Sequence, residues 1–69
     1  MELGAYKHYK GIDVEVIAIA RHSETLDEMV VYKEPNNPEW GESYWVRPKS
    51  MFEEQVIVDG VSVPRFKKV

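Results

Sequence analysis

Asp13-Val14-Glu15-Val16-Ile17-Ala18-Ile19-Ala20-Arg21 sets the architecture of this chain. At period two, Val14, Val16, Ala18 and Ala20 fall on one face and Glu15, Ile17, Ile19 and Arg21 on the other, so the middle of the segment is apolar on both sides. That pattern predicts an interior strand covered on both faces, whose ends reach water at Asp13 and Glu15 and again at Arg21. Ahead of it, Tyr6, His8 and Lys10 alternate with Lys7 and Tyr9 between two glycines, which predicts a short first strand turning at Gly11.

Further on, Val56-Ile57-Val58-Asp59-Gly60-Val61-Ser62-Val63 is a hairpin sequence. Asp-Gly suits a two-residue type I′ turn, in which both central residues need positive φ. The register follows: Val58 lies opposite Val61 and Val56 opposite Val63, so four valines share a face that should be the core, while Ile57 and Ser62 share the other. Pro64 cannot donate to a ladder; it should end the strand and deliver Arg65 and Phe66 to a rim. Ser23 to Glu28 reads as a turn and Met29 to Lys33 as a strand. After a strand from Tyr44 to Arg47, Pro48 to Glu54 has room for one helical turn. Glu34 to Ser43, with two prolines, two asparagines and a glycine, reads as a loop. The fold class expected is mostly β: a small five-stranded antiparallel, partly open barrel of SH3-like type, one domain over residues 1–69, with at most one short helical turn.

Sixty-nine residues allow one modest core. A hydrophobic share of 43% is ordinary for a folded chain, which argues against disorder. Without cysteine there is neither a disulfide nor a thiolate metal site, so stability must come from packing or from association with a second copy, and a cytoplasmic setting is favoured. No run free of Asp, Glu, Lys and Arg exceeds five residues, against the about twenty of a membrane span, so neither a membrane partner nor an export signal is expected. Nine Lys and Arg against twelve Asp and Glu, mixed along the chain, lack the basic excess of a nucleic-acid binder, although a local patch is compatible with them.

Three stretches carry a family resemblance: Tyr6-Lys7-His8-Tyr9-Lys10-Gly11; Ala20-Arg21-His22-Ser23-Glu24-Thr25-Leu26 running into Val30-Val31-Tyr32; and Trp45-Val46-Arg47-Pro48 with Met51-Phe52-Glu53 and the ending Val63-Pro64-Arg65-Phe66. Together they resemble the bacterial domain-of-unknown-function family numbered 1653, over nearly the whole chain. The resemblance implies a small, mostly β protein with no assigned activity. Two departures are Asp27, where the resemblance leads one to expect Glu, and a Glu34–Ser43 connection longer and richer in proline.

The candidate ligand-binding residues are Arg21, His22, Glu24, Trp45, Arg47, Arg65 and Phe66. Arg21, Arg47 and Arg65 stand near strand ends beside rings, where a guanidinium fork could clasp a phosphate, a carboxylate or a stacked base. The competing reading is that they pair internally with Glu24, Glu53 and Glu54. Trp45 shares a strand face with Arg47 while Val46 faces away; which side is buried decides whether Trp45 is a surface anchor or a core plug. His8, His22 and Glu24 have poor spacing for a metal site, and Ser23 and Thr25 read as turn residues, so no metal, cofactor or catalytic residue is expected. The leading expectation is a non-catalytic module that uses an aromatic and arginine rim to bind an anionic ligand, a peptide or a nucleic-acid end. The alternative is a small enzyme or accessory subunit whose His22, Glu24 and Arg47 site is completed at an oligomer interface.

Overall fold

A computed structural model describes residues 1–69. In chain order the elements are β1 (Gly4–His8), β2 (Asp13–Arg21), β3 (Glu28–Asn37), β4 (Gly41–Pro48), α1 (Lys49–Phe52), β5 (Gln55–Val58), β6 (Val61–Pro64) and β7 (Phe66–Lys68). Five strands form one open antiparallel sheet in the order β4-β3-β2-β1-β7, and β5 pairs only with β6. The mostly β expectation, with five strands in one unclosed sheet and a single helical turn, matches this arrangement. The membership differs, because the fifth strand is β7, which pairs with β1, and the hairpin stands apart as its own ribbon.

β2 is interior, between β1 and β3, but its two apolar faces have another cause than double covering. Val16 lies opposite Tyr32, Ala18 opposite Val31 and Ile19 opposite Val30, so Ile17 is an extra residue that the partner strand does not match. This β-bulge resets the alternation. Val14 and Val16 point inward before it and Ile19 packs on the core after it, whereas Ile17 is 41% exposed. The core comprises Tyr6, Val14, Val16, Val30, Tyr32, Phe52 and Phe66.

The hairpin has the predicted register and turn: Val58 opposite Val61, Val56 opposite Val63, with φ of 50° at Asp59 and 78° at Gly60. Its valine face is not the core, however. Val56 and Val63 are half-buried, while Val58 and Val61 stay exposed, because five strands and α1 already enclose the core without the hairpin. The accessible surface of 4902 Å² accordingly exceeds the roughly 4,500 Å² expected of a compact monomer of this size.

Two segments extend further than the sequence reading. Most of Glu34–Ser43 is strand, β3 continuing to Asn37 and β4 starting at Gly41 across an irregular register, with the Asn37 carboxamide oxygen accepting from the Glu39 and Trp40 N–H groups to close the turn. Phe66, placed at a rim by the sequence, begins β7 and is buried. The helical turn expected within Pro48 to Glu54, with Pro48 at its first position, covers Lys49–Phe52 instead, Pro48 being the last residue of β4 and the N-cap, while Pro64 closes β6 as expected.

Candidate functional site

Trp45 lies opposite Tyr32 and Arg47 opposite Val30 across the β3–β4 ladder. Directly opposed residues share a face, and Tyr32 and Val30 are core, so Trp45 and Arg47 belong to the concave side of the sheet and Val46 to the convex side. Trp45 is nonetheless 39% exposed, since β4 is an edge strand and the indole sits at the core's margin with its Nε1–H donating to the Ser43 hydroxyl at 2.8 Å. It is therefore neither a plug nor a free surface ring.

From this concave side the Arg47 guanidinium reaches over the Phe66 ring, with Cζ 5.7 Å from the centroid. Phe66 also stacks on Phe52 at 4.1 Å and meets the edge of His8 at 4.9 Å. Around these groups opens a cleft of about 140 Å³, lined by His8, Ile12, Val14, Tyr32, Glu34, Arg47 and Phe66. At about 30 Å³ for each water-sized group, it has room for a carboxylate or a phosphate and little more.

His8 is the chemical centre of the cleft. Its Nδ1 accepts the Lys10 N–H at 3.1 Å, which assigns the neutral ring's proton to Nε2. Burial, followed by the nearby charges of Arg65, Arg47 and Lys10, lowers its pKa from the ordinary 6.5, and Glu34 opposes this only in part. Of the residues that line the cleft, Arg47 and Glu34 bring one positive and one negative charge beside this imidazole.

The other candidate residues do not join it. Arg65 takes the internal pairing: its Nη2 meets Glu54 Oε1 at 3.4 Å, its backbone N–H donates to the Glu54 carbonyl, and its buried Nε has no acceptor. Arg21 donates to the Leu26 carbonyl at 2.7 Å and lines a separate depression with Pro48 and Lys49. His22 and Glu24 build the turn between β2 and β3. His22 Nδ1 accepts the Glu24 and Thr25 N–H groups, its N–H donates to the Asp27 carbonyl, and its carbonyl accepts from Leu26. This ring of bonds holds Leu26 at a φ of 66°, a conformation costing a β-carbon-bearing residue about 1–2 kcal/mol. Arg21, Arg47 and Arg65 thus form no common patch, and His22, Glu24 and Arg47 no common site. His8 and His22 flank opposite ends of β2, and no three His, Cys, Asp or Glu side chains converge in a metal-holding group.

The turn can be tested separately. His22→Ala should cost about 1–2 kcal/mol in urea denaturation, because two N–H groups lose their acceptor. His22→Asn should recover most of the loss, since a carboxamide oxygen accepts from the same position. Equal losses in both variants would mean that the imidazole stabilises by packing.

His8, Tyr32 and Glu34 were not singled out as ligand residues by the sequence. Tyr32 falls in the expected Met29–Lys33 strand, Glu34 in the expected loop, and His8 enters only as a weak metal donor; β1 and β3 flank β2 in the sheet, and the pairing of β7 with β1 adds Phe66 opposite His8.

The family model described as "Protein of unknown function (DUF1653)" matches residues 4–68. The chain belongs to this family. The crystal structure of a DUF1653 protein from Bordetella bronchiseptica is similar with a TM-score of 0.89 and 30% identity, covering 100% of this chain and 87% of that one. No curated protein matches. DUF1653 membership agrees with the earlier resemblance and carries no assigned activity, so the functional reading rests on the cleft.

Proposed function

We propose that this DUF1653 protein is a non-catalytic binding module whose cleft takes a small anionic group between Arg47 and His8, with the rings of Phe66 and Tyr32 as its walls. The observation that carries the reading is the Arg47 guanidinium held over Phe66 beside a neutral imidazole in a carboxylate-sized cleft. Arg47 supplies charge and a planar donor fork, and His8 Nε2–H supplies a second donor. Trp45, two residues from Arg47 on the same face, offers a ring to whatever the anion is attached to. An SH3-like character for the open sheet and a cytoplasmic setting for the cysteine-free chain belong to the same proposal; no helix is long and apolar enough to cross a membrane.

The His8 imidazole reports the test. Followed by NMR, its titration midpoint should lie below 6.5 and rise when inorganic phosphate is added, because a bound anion offsets the neighbouring cations. Since the folded state disfavours the charged imidazole, the stability His8 contributes is present above about pH 6.5 and is lost as the pH falls through the lowered midpoint. Arg47→Met, which keeps the apolar stem, should weaken phosphate binding about 10-fold or more, the worth of hydrogen bonds to a charged group. Undiminished binding in that variant, or no response of His8 to phosphate or acetate, would overturn the reading.

A further inference from the structure

The pairing of β7 with β1 sets Lys7 directly opposite Lys67, and the next pair is His8 opposite Phe66. The two lysines therefore share the face of the sheet turned away from the Arg47 cleft. Opposed side chains start about 4.5–5.5 Å apart, and like charges in such a pair work against folding. Asp13 meets Lys7 at 3.4 Å, whereas Lys67 has no ion pair. Beside these ammonium groups lies a groove of about 400 Å³, lined also by Tyr9 and by Val58, Val63 and Pro64 of the hairpin. We infer that this groove is a second site, separate from the cleft, for a phosphate monoester of an aromatic alcohol, with the phosphate between Lys7 and Lys67 and the ring against Tyr9, Val58 and Val63.

The head group follows from the charges. A phosphate monoester is close to a dianion at neutral pH, so it can accept from both ammonium groups and relieve their repulsion. Lysine binds phosphate as a point charge and lacks the planar fork that suits a carboxylate. The ring follows from the walls. The hairpin's valine face is left partly uncovered, Val58 being 38% exposed and Val63 half-buried, and Tyr9 is 40% exposed. Pro64 has no N–H, so an apolar ring covers this wall without stripping a donor of its partner. Tyr9 adds an aromatic surface for the ligand's ring to pack on. Exposed lysines hold a bare phosphate weakly, which gives the ring contact a decisive share of the affinity. The volume corresponds to roughly a dozen water-sized groups, enough for a phosphate with one or two rings.

The probe is phenyl phosphate, titrated into the intact protein while NMR follows the Val58 and Val63 methyl groups and the Tyr9 ring. His8 borders both spaces, so the readout is placed on residues that line the groove alone. These resonances should shift and saturate, with phenyl phosphate binding about tenfold more tightly than inorganic phosphate, the worth of burying part of one ring. Lys67→Gln should weaken phenyl phosphate about fivefold, the upper range for an exposed ion pair. The same variant should keep or raise the urea midpoint, because it removes one of two opposed like charges. A markedly lower midpoint would show that Lys67 is engaged within the fold and would overturn the site. Benzoate binding as tightly as phenyl phosphate would overturn the phosphate head, and inorganic phosphate binding as tightly would overturn the ring contact. Valine shifts that vanish in Arg47→Met would put the ligand in the cleft and leave no second site, as would valine resonances that never move; the cleft itself is judged separately, by the response of His8 to inorganic phosphate.

Discussion

Phe52→Ala is expected to leave most molecules unfolded or close to it at 25 °C. Phe52 is 1% exposed, lies parallel to Phe66 at 4.1 Å, and has Tyr6 and Tyr32 within 5.7 Å. Removing such a ring costs about 3–5 kcal/mol, because the apolar contact is lost and the space cannot fully collapse. At about 0.05–0.15 kcal/mol per residue, a domain of this size has only about 3–10 kcal/mol in total. The loss also spreads. A helix of four residues has no stability of its own and is held by this side chain, while β7, three residues long, is held to the sheet partly by Phe66 beneath it. Urea denaturation should show a midpoint lower by about 3 M or more, at a slope near 1 kcal/mol/M, or no folded baseline at all. Phe52→Leu, which keeps most of the apolar volume, should remain folded with a smaller loss. A midpoint within about 1 M of the parent for Phe52→Ala would show that the core does not depend on the helix.

The expectations that succeeded rest on local chemistry. Asp59-Gly60 specifies its turn and hence four cross-strand pairs, and Pro48 and Pro64 mark element boundaries because each lacks an N–H. Those that failed depend on pairing across the chain. Phe66-Lys67-Lys68 is too short and too basic to read as a strand; it becomes one because β1 offers a free edge and Phe52 offers a ring. The Glu34–Ser43 loop reading failed for a related reason. Two prolines and two asparagines argue for a turn, but long paired strands on either side carry the ladder up to Asn37 and Gly41. For the site, Arg47 and Phe66 were legible as a cation and a ring near strand ends, and their meeting came from the curl of the sheet. Arg21, His22 and Glu24 share the same vocabulary of residue types, yet their donors and acceptors are spent on one turn. His8 shows the converse, since its backbone bonding resembles that of His22 and only its neighbours Arg47, Arg65 and Phe66 distinguish it.

The bulge at Ile17 gives the sharpest separation between sequence pattern and fold. By strict alternation Ile17 and Ile19 share a face, so an aspartate at either should have the same effect. With Ile17 as the unmatched residue, they differ: its side chain is 41% exposed, whereas Ile19 packs against the core opposite fully buried Val30. Ile17→Asp should therefore cost less than about 1 kcal/mol, the range of surface changes, with an unaltered near-ultraviolet spectrum. Ile19→Asp places a carboxylate against Val30 without a cation to pair with and should cost about 3 kcal/mol or more, enough to unfold much of the population. Equal losses in the two variants would mean that β2 runs without a bulge in solution. The outcome also bears on the cleft, because a bulge increases the local twist and bends its strand. That bend helps to curl β3 and β4 over the core, which is how Arg47 on one edge strand comes to lie above Phe66 on the other. A regular β2 would flatten the sheet, draw those edges apart and remove the geometry on which the proposed anion binding depends.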